Sequence, residues 1–312
     1  MTDLDKLTGP ERENDWTACR ALLRKQSPGL YFGSLSLPPR VRRPAVVLYA
    51  FSSAFASAVH EGTPAAASEA RARLDGIVRS EGRLPLAVDR AMARVMRDYS
   101  IPRSLLDALV EGFCWDADGR RFATIDGLID YCVRVSAAPG MALCLLMGCR
   151  KRDVLERSCD LSIAVELTRV VRDVGSHARR GRVYLPLEWL EEAGVDVDAF
   201  LYAPRSTPAV LEVIRRVRNS ADSFFLRADP GISALPFDCR PAVRASRYIF
   251  AGILSEIEQR GYDSITDKVR LSLPRKLRLI ARALRSSRSE SRKLPEQSHP
   301  SYAKLVDSVV IS

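Results

Sequence analysis

Histidines, paired cysteines and long apolar segments are scarce in this chain, and each scarcity excludes a class of protein. Only three histidines occur in 312 residues, too few for a metal site built from imidazole ligands. Seven cysteines are present without a C-x-x-C pair, so we expect reduced core residues in a cytoplasmic protein. The longest apolar run, 45–59, is interrupted by serines and is shorter than the roughly 20 residues of a membrane-spanning helix. A buried helix is expected there.

The positive charge is concentrated in one part of the chain. The formal net charge is +10, and residues 268–293 hold ten Lys and Arg against the single acid Glu290, a surplus of nine. Within this segment the stretch 274–285 places leucines on one side of a helix and arginines on another, a pattern typical of helices that lie on anionic membranes. A basic solvated tail is the alternative. No stacking aromatics accompany the charge, so we expect no nucleic-acid partner.

The spacing of apolar residues is helical along nearly the whole chain, and alternating β-branched runs are missing. This predicts an all-α protein with a single helical domain over residues 1–285. Residues 286–312 begin as the low-complexity stretch S-S-R-S-E-S-R-K, which predicts a basic, Ser-rich, disordered C-terminal tail.

One stretch, 166–186, concentrates the polar residues that suit diphosphate chemistry. As one helix it would place Glu166, Asp173 and His177 on a single stripe. Arg179, Arg182 and Tyr184 follow, and arginine forks bind phosphate oxygens well. A solvated basic loop is the alternative interpretation of these arginines.

Several segments together resemble a known family, the squalene/phytoene synthases, and in particular bacterial phytoene synthases of carotenoid biosynthesis. The resemblance runs from Trp16 to about Leu284. The segments that carry it are L-P-P-R-V-R-R-P-A-V-V-L-Y-A-F (37–51), E-G-F-C-W-D-A-D-G-R-R-F-A-T (111–124), Y-C-V-R-V-S (131–136), R-D-V-G-S-H-A-R-R-G-R-V-Y-L-P (172–186), L-P-F-D-C-R-P (235–241) and G-Y-D (261–263).

This resemblance implies an isoprenoid-synthase-type helical bundle around a central apolar cavity. It also implies a prenyltransferase that joins two prenyl diphosphates head to head, with Mg²⁺ held by two Asp-rich motifs on facing helices. Ionisation of an allylic diphosphate leaves a carbocation and pyrophosphate, and the metal ions neutralise that leaving group.

The chain departs from the family pattern at the metal-binding positions. In the first motif, Ala56 and His60 stand where the family has aspartates, and Glu61 is the acid that is left. In the second motif, Asp173 is kept, whereas His177 replaces an acid and Arg169 replaces an asparagine. Ser27 is the kept residue of the diphosphate-contacting segment. Alanine and neutral imidazole are poor ligands for a hard cation.

These replacements favour a catalytically impaired or inactive homologue, a pseudoenzyme with no confident catalytic residue. We expect an ion-pair ladder of Glu166, Arg169 and Asp173 in place of metal, and no cofactor. Such a protein would bind a prenyl lipid or assist an active prenyl synthase, peripherally on the inner membrane. The alternative is an active phytoene synthase with Mg²⁺ held by Glu61, Glu166 and Asp173. A purely structural module with a filled cavity is a third hypothesis.

In the first two cases, a prenyl diphosphate or a prenyl lipid is the expected ligand. The candidate diphosphate-binding residues are Ser27, Arg179, Arg182 and Tyr184. Arginine forks bind phosphate oxygens directly, so this group needs no metal to hold a diphosphate.

Overall fold

A computed structural model describes residues 10–60, 66–79, 84–285 and 299–310, and within these ranges it contains helices and no strand. The helices are α1 Pro10–Gln26, α2 Pro28–Ser34, α3 Pro39–His60, α4 Ala66–Arg79, α5 Ala87–Asp98, α6 Arg103–Ala117, α7 Ile125–Cys132, α8 Ala138–Leu146, α9 Arg152–Arg172, α10 Val174–Ala178, α11 Leu187–Glu192, α12 Val197–Tyr202, α13 Pro208–Ile232, α14 Arg240–Gln259, α15 Leu273–Arg285 and α16 Pro300–Val310. The all-α expectation is confirmed.

Helix α9 is the central element of the bundle. It packs against α8, α13 and α14, and its residues Ile163, Leu167 and Val171 are completely buried. Its longest partner, α13, buries one face that includes Val213, Val217 and Ala221, as the 3.6-residue period predicts. Because apolar side chains from several helices meet on α9, its position is fixed along its length, and so are the polar residues near its end.

A π-helical turn at Val133–Ala137 separates α7 from α8. It precedes Pro139, which lies in the first turn of α8, where a missing backbone N–H costs nothing. Gly140 lies so close to α9 that an added Cβ would be 2.2 Å from Ser162 Oγ. By length and composition Ile125–Leu146 could cross a membrane. However, 61% of its most apolar stretch is buried in the bundle, as in the core helix of a globular protein.

The C-terminal segment differs from the expectation of a disordered tail. Residues 286–298 lie outside the described residues, but 300–310 form α16, which packs against α6, α7 and α9. Tyr302, Val306 and Val309 are buried, and their spacing of four and three residues places them on one helix face. This short apolar stripe was masked in the sequence by the polar, Ser-rich stretch before it. The prediction of disorder was therefore wrong for this helix.

Candidate functional site

The end of α9 carries the residues of the second motif. Glu166 and Arg169 lie one helical turn apart, and Arg169 Nη1 donates to Glu166 Oε2 at 3.1 Å. The Arg169 guanidinium also lies 5.8 Å from the ring centre of Phe250 on α14. Its positive charge reaches Tyr49 of α3, where burial raises the pKa to about 12 and Arg169 partly offsets that rise.

The helix does not continue to His177, which corrects the expectation of one stripe. Helix α9 ends at Arg172, Asp173 has φ −108° and ψ 17°, and a short second helix, α10, follows. At the break, the backbone N–H of Gly175 donates to the backbone oxygen of Ser264 at 3.3 Å, outside the helix, and a Cβ added at Gly175 would lie 2.5 Å from the backbone oxygen of Ile265. The chain therefore turns at Asp173 to pack against this neighbouring backbone, and His177 lies on a different helix from Glu166.

As a consequence, the expected ladder forms only in part. Glu166 pairs with Arg169, but Asp173 pairs with its neighbour Arg172 and with Lys268, whose Nζ lies 3.4 Å from Asp173 Oδ1. Burial alone would raise the pKa of the Asp173 carboxyl, but the hydrogen bond from Arg172 and the charges of Arg172 and Lys268 outweigh burial. They hold that pKa below its ordinary value. Asp173 is thus an anion beside two protein cations, with both hydrogen bonds from Arg172 on Oδ2, while its buried Oδ1 accepts no hydrogen bond.

A second carboxylate, Asp116 at the end of α6, forms a hydrogen-bonded cluster with two tyrosines. Its oxygens accept hydrogen bonds from Tyr131 at 2.8 Å and from Tyr184 at 2.7 Å. The Arg182 guanidinium lies 3.8 Å from the same carboxylate and 3.4 Å from the Tyr184 hydroxyl. Sequence reasoning named Arg182 and Tyr184 but missed Asp116, although it lies in the quoted segment 111–124.

His177 packs against this cluster, with its ring centre 4.7 Å from that of Tyr184. Burial lowers the pKa of His177 to about 4, with the charges of Arg180, Arg182 and Arg172 acting in the same direction. The nearby Asp173 charge opposes this shift without cancelling it. The imidazole is therefore neutral at pH 7.

Lowering the pH from 7 to about 4 is expected to destabilise the protein, in part through His177. The unfolded histidine titrates near 6.5, well above its folded pKa of about 4, so the unfolded state binds the extra proton in this interval. The contribution is on the order of 2 kcal/mol, whereas that of Asp173 is lost only at lower pH. Urea unfolding at pH 7, 5.5 and 4.5 should show a shallower pH dependence for His177→Gln. Equal slopes for variant and parent would contradict this assignment.

The first-motif wall, on α3, is built from apolar and hydroxyl side chains. Ser27 Oγ lies 3.2 Å from Ser53 Oγ, and the rings of Phe51 and Phe55 pack in a tilted arrangement with their centres 4.3 Å apart. Ala56 lies on the same helix, partly buried against the core. His60 is the last residue of α3, while its side chain and Glu61 lie outside the described residues. The described part of this wall presents no carboxylate.

The four candidate diphosphate residues are not brought together as one group. Arg182 and Tyr184 contact each other, and Ser27 instead contacts α3. Arg179 Nη1 donates to the backbone oxygen of Ile265 at 3.1 Å, which ties the α10 turn to the loop after Gly261-Tyr262-Asp263. Arg179 therefore stabilises the local fold through this hydrogen bond.

The described residues do not fit a magnesium cluster. Among residues 10–60, 66–79, 84–285 and 299–310 there is no group of three His, Cys, Asp or Glu side chains placed to hold a metal ion. Mg²⁺ requires several oxygen ligands, whereas Glu166 and Asp173 are each paired with arginine. Beside His177 and Tyr184 lies a cavity of about 10 Å³, and another of about 60 Å³ lies next to Trp16. Neither is large enough for a prenyl chain, so the central cavity stays an expectation.

The helical bundle centred on α9, with the second-motif residues at the end of that helix, defines an isoprenoid-synthase-type helical protein. A family model described as squalene/phytoene synthase matches residues 23–276. The chain is 41% identical over 265 residues to the phytoene synthase of Cereibacter sphaeroides, covering 81% of this chain and 74% of that protein. It is 39% identical over 305 residues to the phytoene synthase of Rhodobacter capsulatus, covering 95% and 90%. The chain belongs to the squalene/phytoene synthase family.

Solved structures show the same fold. A dehydrosqualene synthase in complex with a ligand superposes with a TM-score of 0.76 at 22% identity, covering 87% of this chain and 96% of that chain. The squalene synthase of Alicyclobacillus acidocaldarius gives a TM-score of 0.75 at 22% identity, covering 84% and 99%. At these identities the likeness supports the architecture, and the chemistry has to be argued from the residues.

Proposed function

We propose that this chain acts in isoprenoid metabolism as a phytoene-synthase-type protein that takes prenyl diphosphates. The observation that carries the proposal is the extent of the relatedness, 39% identity across 95% of the chain to a protein named phytoene synthase. Head-to-head condensation of two prenyl diphosphates is the activity that follows from this relatedness. It would need magnesium to be gathered by Glu61, Glu166 and Asp173, with help from the arginines of the 166–186 stretch.

A second candidate is favoured by the ion pairs of the site. Arg169 donates a hydrogen bond to Glu166 Oε2 and Arg172 donates to Asp173 Oδ2, while the Lys268 ammonium lies 3.4 Å from Asp173 Oδ1. Each cation that sits on a carboxylate competes with a metal ion for the same oxygens. The second candidate is thus a pseudoenzyme that binds a prenyl diphosphate or prenyl lipid and serves as an accessory or regulatory factor for an active synthase. Relatedness supports the first candidate and the chemistry of the site supports the second.

Incubation of the purified chain with geranylgeranyl or farnesyl diphosphate separates the two candidates. An active synthase is expected to release pyrophosphate in the presence of Mg²⁺ or Mn²⁺. Asp173→Asn should lower that release by about 100-fold, because it removes a carboxylate that would help to hold the metal ions beside the leaving diphosphate. A pseudoenzyme is expected to bind the diphosphate in a calorimeter without release. Pyrophosphate is measured directly, and the hydrocarbon product is extracted and identified by mass spectrometry.

Asp153→Asn is the matched control, because Asp153 is an exposed carboxylate in the first turn of α9, about 30 Å along the helix axis from Asp173. It should leave release or binding unchanged. Absence of both binding and release would contradict both candidates and favour the purely structural module.

A further inference from the structure

Helix α15 is held on the bundle by one face. Leu279 and Ala283 point inward, and Leu279 packs so closely on α14 that a Cβ added to Gly252 would lie 2.7 Å from its Cδ1. The Arg282 guanidinium lies 5.2 Å from the ring centre of Tyr248 on the same helix. These contacts show that α15 runs antiparallel to α14 and that the rest of its surface faces outward.

A second face of α15 exposes leucines to solvent. Leu273, Leu277 and Leu284 are 68%, 58% and 65% exposed. At 100° per residue these three positions fall within a narrow sector of the helix. They are separated from the inward pair Leu279 and Ala283 by about a third of a turn. An isolated exposed leucine is ordinary on a protein surface, but an aligned row on one helix marks an interaction surface.

The cations of α15 flank this row. The helix contains five Lys and Arg and no acid. Arg275 is neutralised by Glu256 of α14, whereas Lys276, Arg278 and Arg285 are exposed. Within the described part of the chain these three have no carboxylate partner among the ion pairs. The surface therefore offers apolar side chains with uncompensated positive charge beside them.

One more apolar side chain lies toward the same end of the helix pair. Because α15 runs antiparallel to α14, its C-terminal end approaches the start of α14. Phe237, which is 83% exposed, lies three residues before that start. The Phe237 ring centre lies 5.9 Å from the guanidinium carbon of Arg240.

We propose that this surface, formed by α15 and its leucine row, docks on the face of an anionic lipid bilayer. The helix has 13 residues and is about 20 Å long, which suits a helix lying in the plane of the interface with its leucines in the acyl boundary. The flanking cations match anionic headgroups. A nucleic acid would match the charge but would leave the leucine row in water.

Flotation of the full chain with vesicles tests this proposal. Vesicles of phosphatidylcholine with one quarter phosphatidylglycerol should carry the protein to the top of the gradient, and pure phosphatidylcholine vesicles should carry much less. The triple variant Lys276→Gln, Arg278→Gln, Arg285→Gln is expected to lower the partition coefficient on anionic vesicles by about 100-fold. The triple variant Leu273→Ser, Leu277→Ser, Leu284→Ser should lower binding by a similar factor.

The matched control replaces three exposed cations of α1, Arg20, Arg24 and Lys25, with glutamine. It makes the same change in net charge and should retain most of the binding. Equal loss in this control would overturn the proposal, since net charge alone would then explain the attraction. Equal binding to neutral vesicles, or no binding at all, would overturn it too. Retention of an RNA homopolymer that the serine variant leaves unchanged, without vesicle binding, would instead assign the surface to nucleic acid.

Discussion

Replacing Asp160 with alanine is expected to lower the free energy of unfolding by about 3–5 kcal/mol. The carboxylate is completely buried on α9, where it accepts hydrogen bonds from Arg157 at 3.0 Å, Arg227 at 3.1 Å and the Tyr302 hydroxyl at 3.0 Å. Removing it leaves two largely buried guanidinium groups without their anion, which costs more than the loss of the pair itself. The measurement is urea unfolding followed by circular dichroism at pH 7.

Two further variants separate the parts of this network. Tyr302→Phe removes a single hydroxyl and should cost only about 1 kcal/mol. Asp118→Asn, on the surface, should leave the unfolding midpoint unchanged. A loss below about 1 kcal/mol for Asp160→Ala would show that the arginines find water or other partners, and that the network contributes little to the stability of the bundle.

Restoring the lost acids is expected to raise pyrophosphate release from farnesyl diphosphate and Mg²⁺ about tenfold or more, an increase that corresponds to ~1.4 kcal/mol of the barrier. The variant combines Ala56→Asp, His60→Asp, Arg169→Asn and His177→Asp. Positions 56 and 60 lie one turn apart on α3, so their carboxylates would share a face. Arg169→Asn also frees Glu166 from its ion pair. The measurement is a coupled pyrophosphate assay beside the unmodified protein.

The outcome of this experiment also decides between the two proposed functions. If the unmodified chain already releases pyrophosphate rapidly and the quadruple variant is no faster, the pseudoenzyme is excluded and the residues present suffice for catalysis. Adding Asp173→Asn to the restored variant should remove the gain. A gain that survives this change would mean that the second motif does not take part. Circular dichroism of each variant excludes misfolding as the cause.

The fold could be anticipated from the sequence where one apolar period runs without interruption. The face of α13 that contains Val217, Ala221 and Phe225 is buried as its spacing predicts. The ends of helices were less predictable, because they depend on partners distant in sequence. Helix α9 stops at Arg172, and the Gly175 N–H then bonds to Ser264 beside the backbone of Ile265. Nothing in the local sequence around Asp173 indicates this contact.

The site was predictable only in part for the same reason. A helical spacing rule can pair Glu166 with Arg169, because both lie on one helix. It cannot pair Asp173 with Lys268 or Asp116 with Tyr184, which meet only when separate helices pack. Sequence alignment with a family identifies which positions matter, whereas the geometry shows what now occupies them.

The helix that follows the family-matched region has a practical consequence for protein production. The family model ends at residue 276, and a designer of expression plasmids would naturally stop the gene near that boundary. Such a shortened product would lose Tyr302 and open a groove over α9 that α16 normally fills. We expect it to aggregate during purification, so crystallisation and assay work should retain the chain at least through Val310.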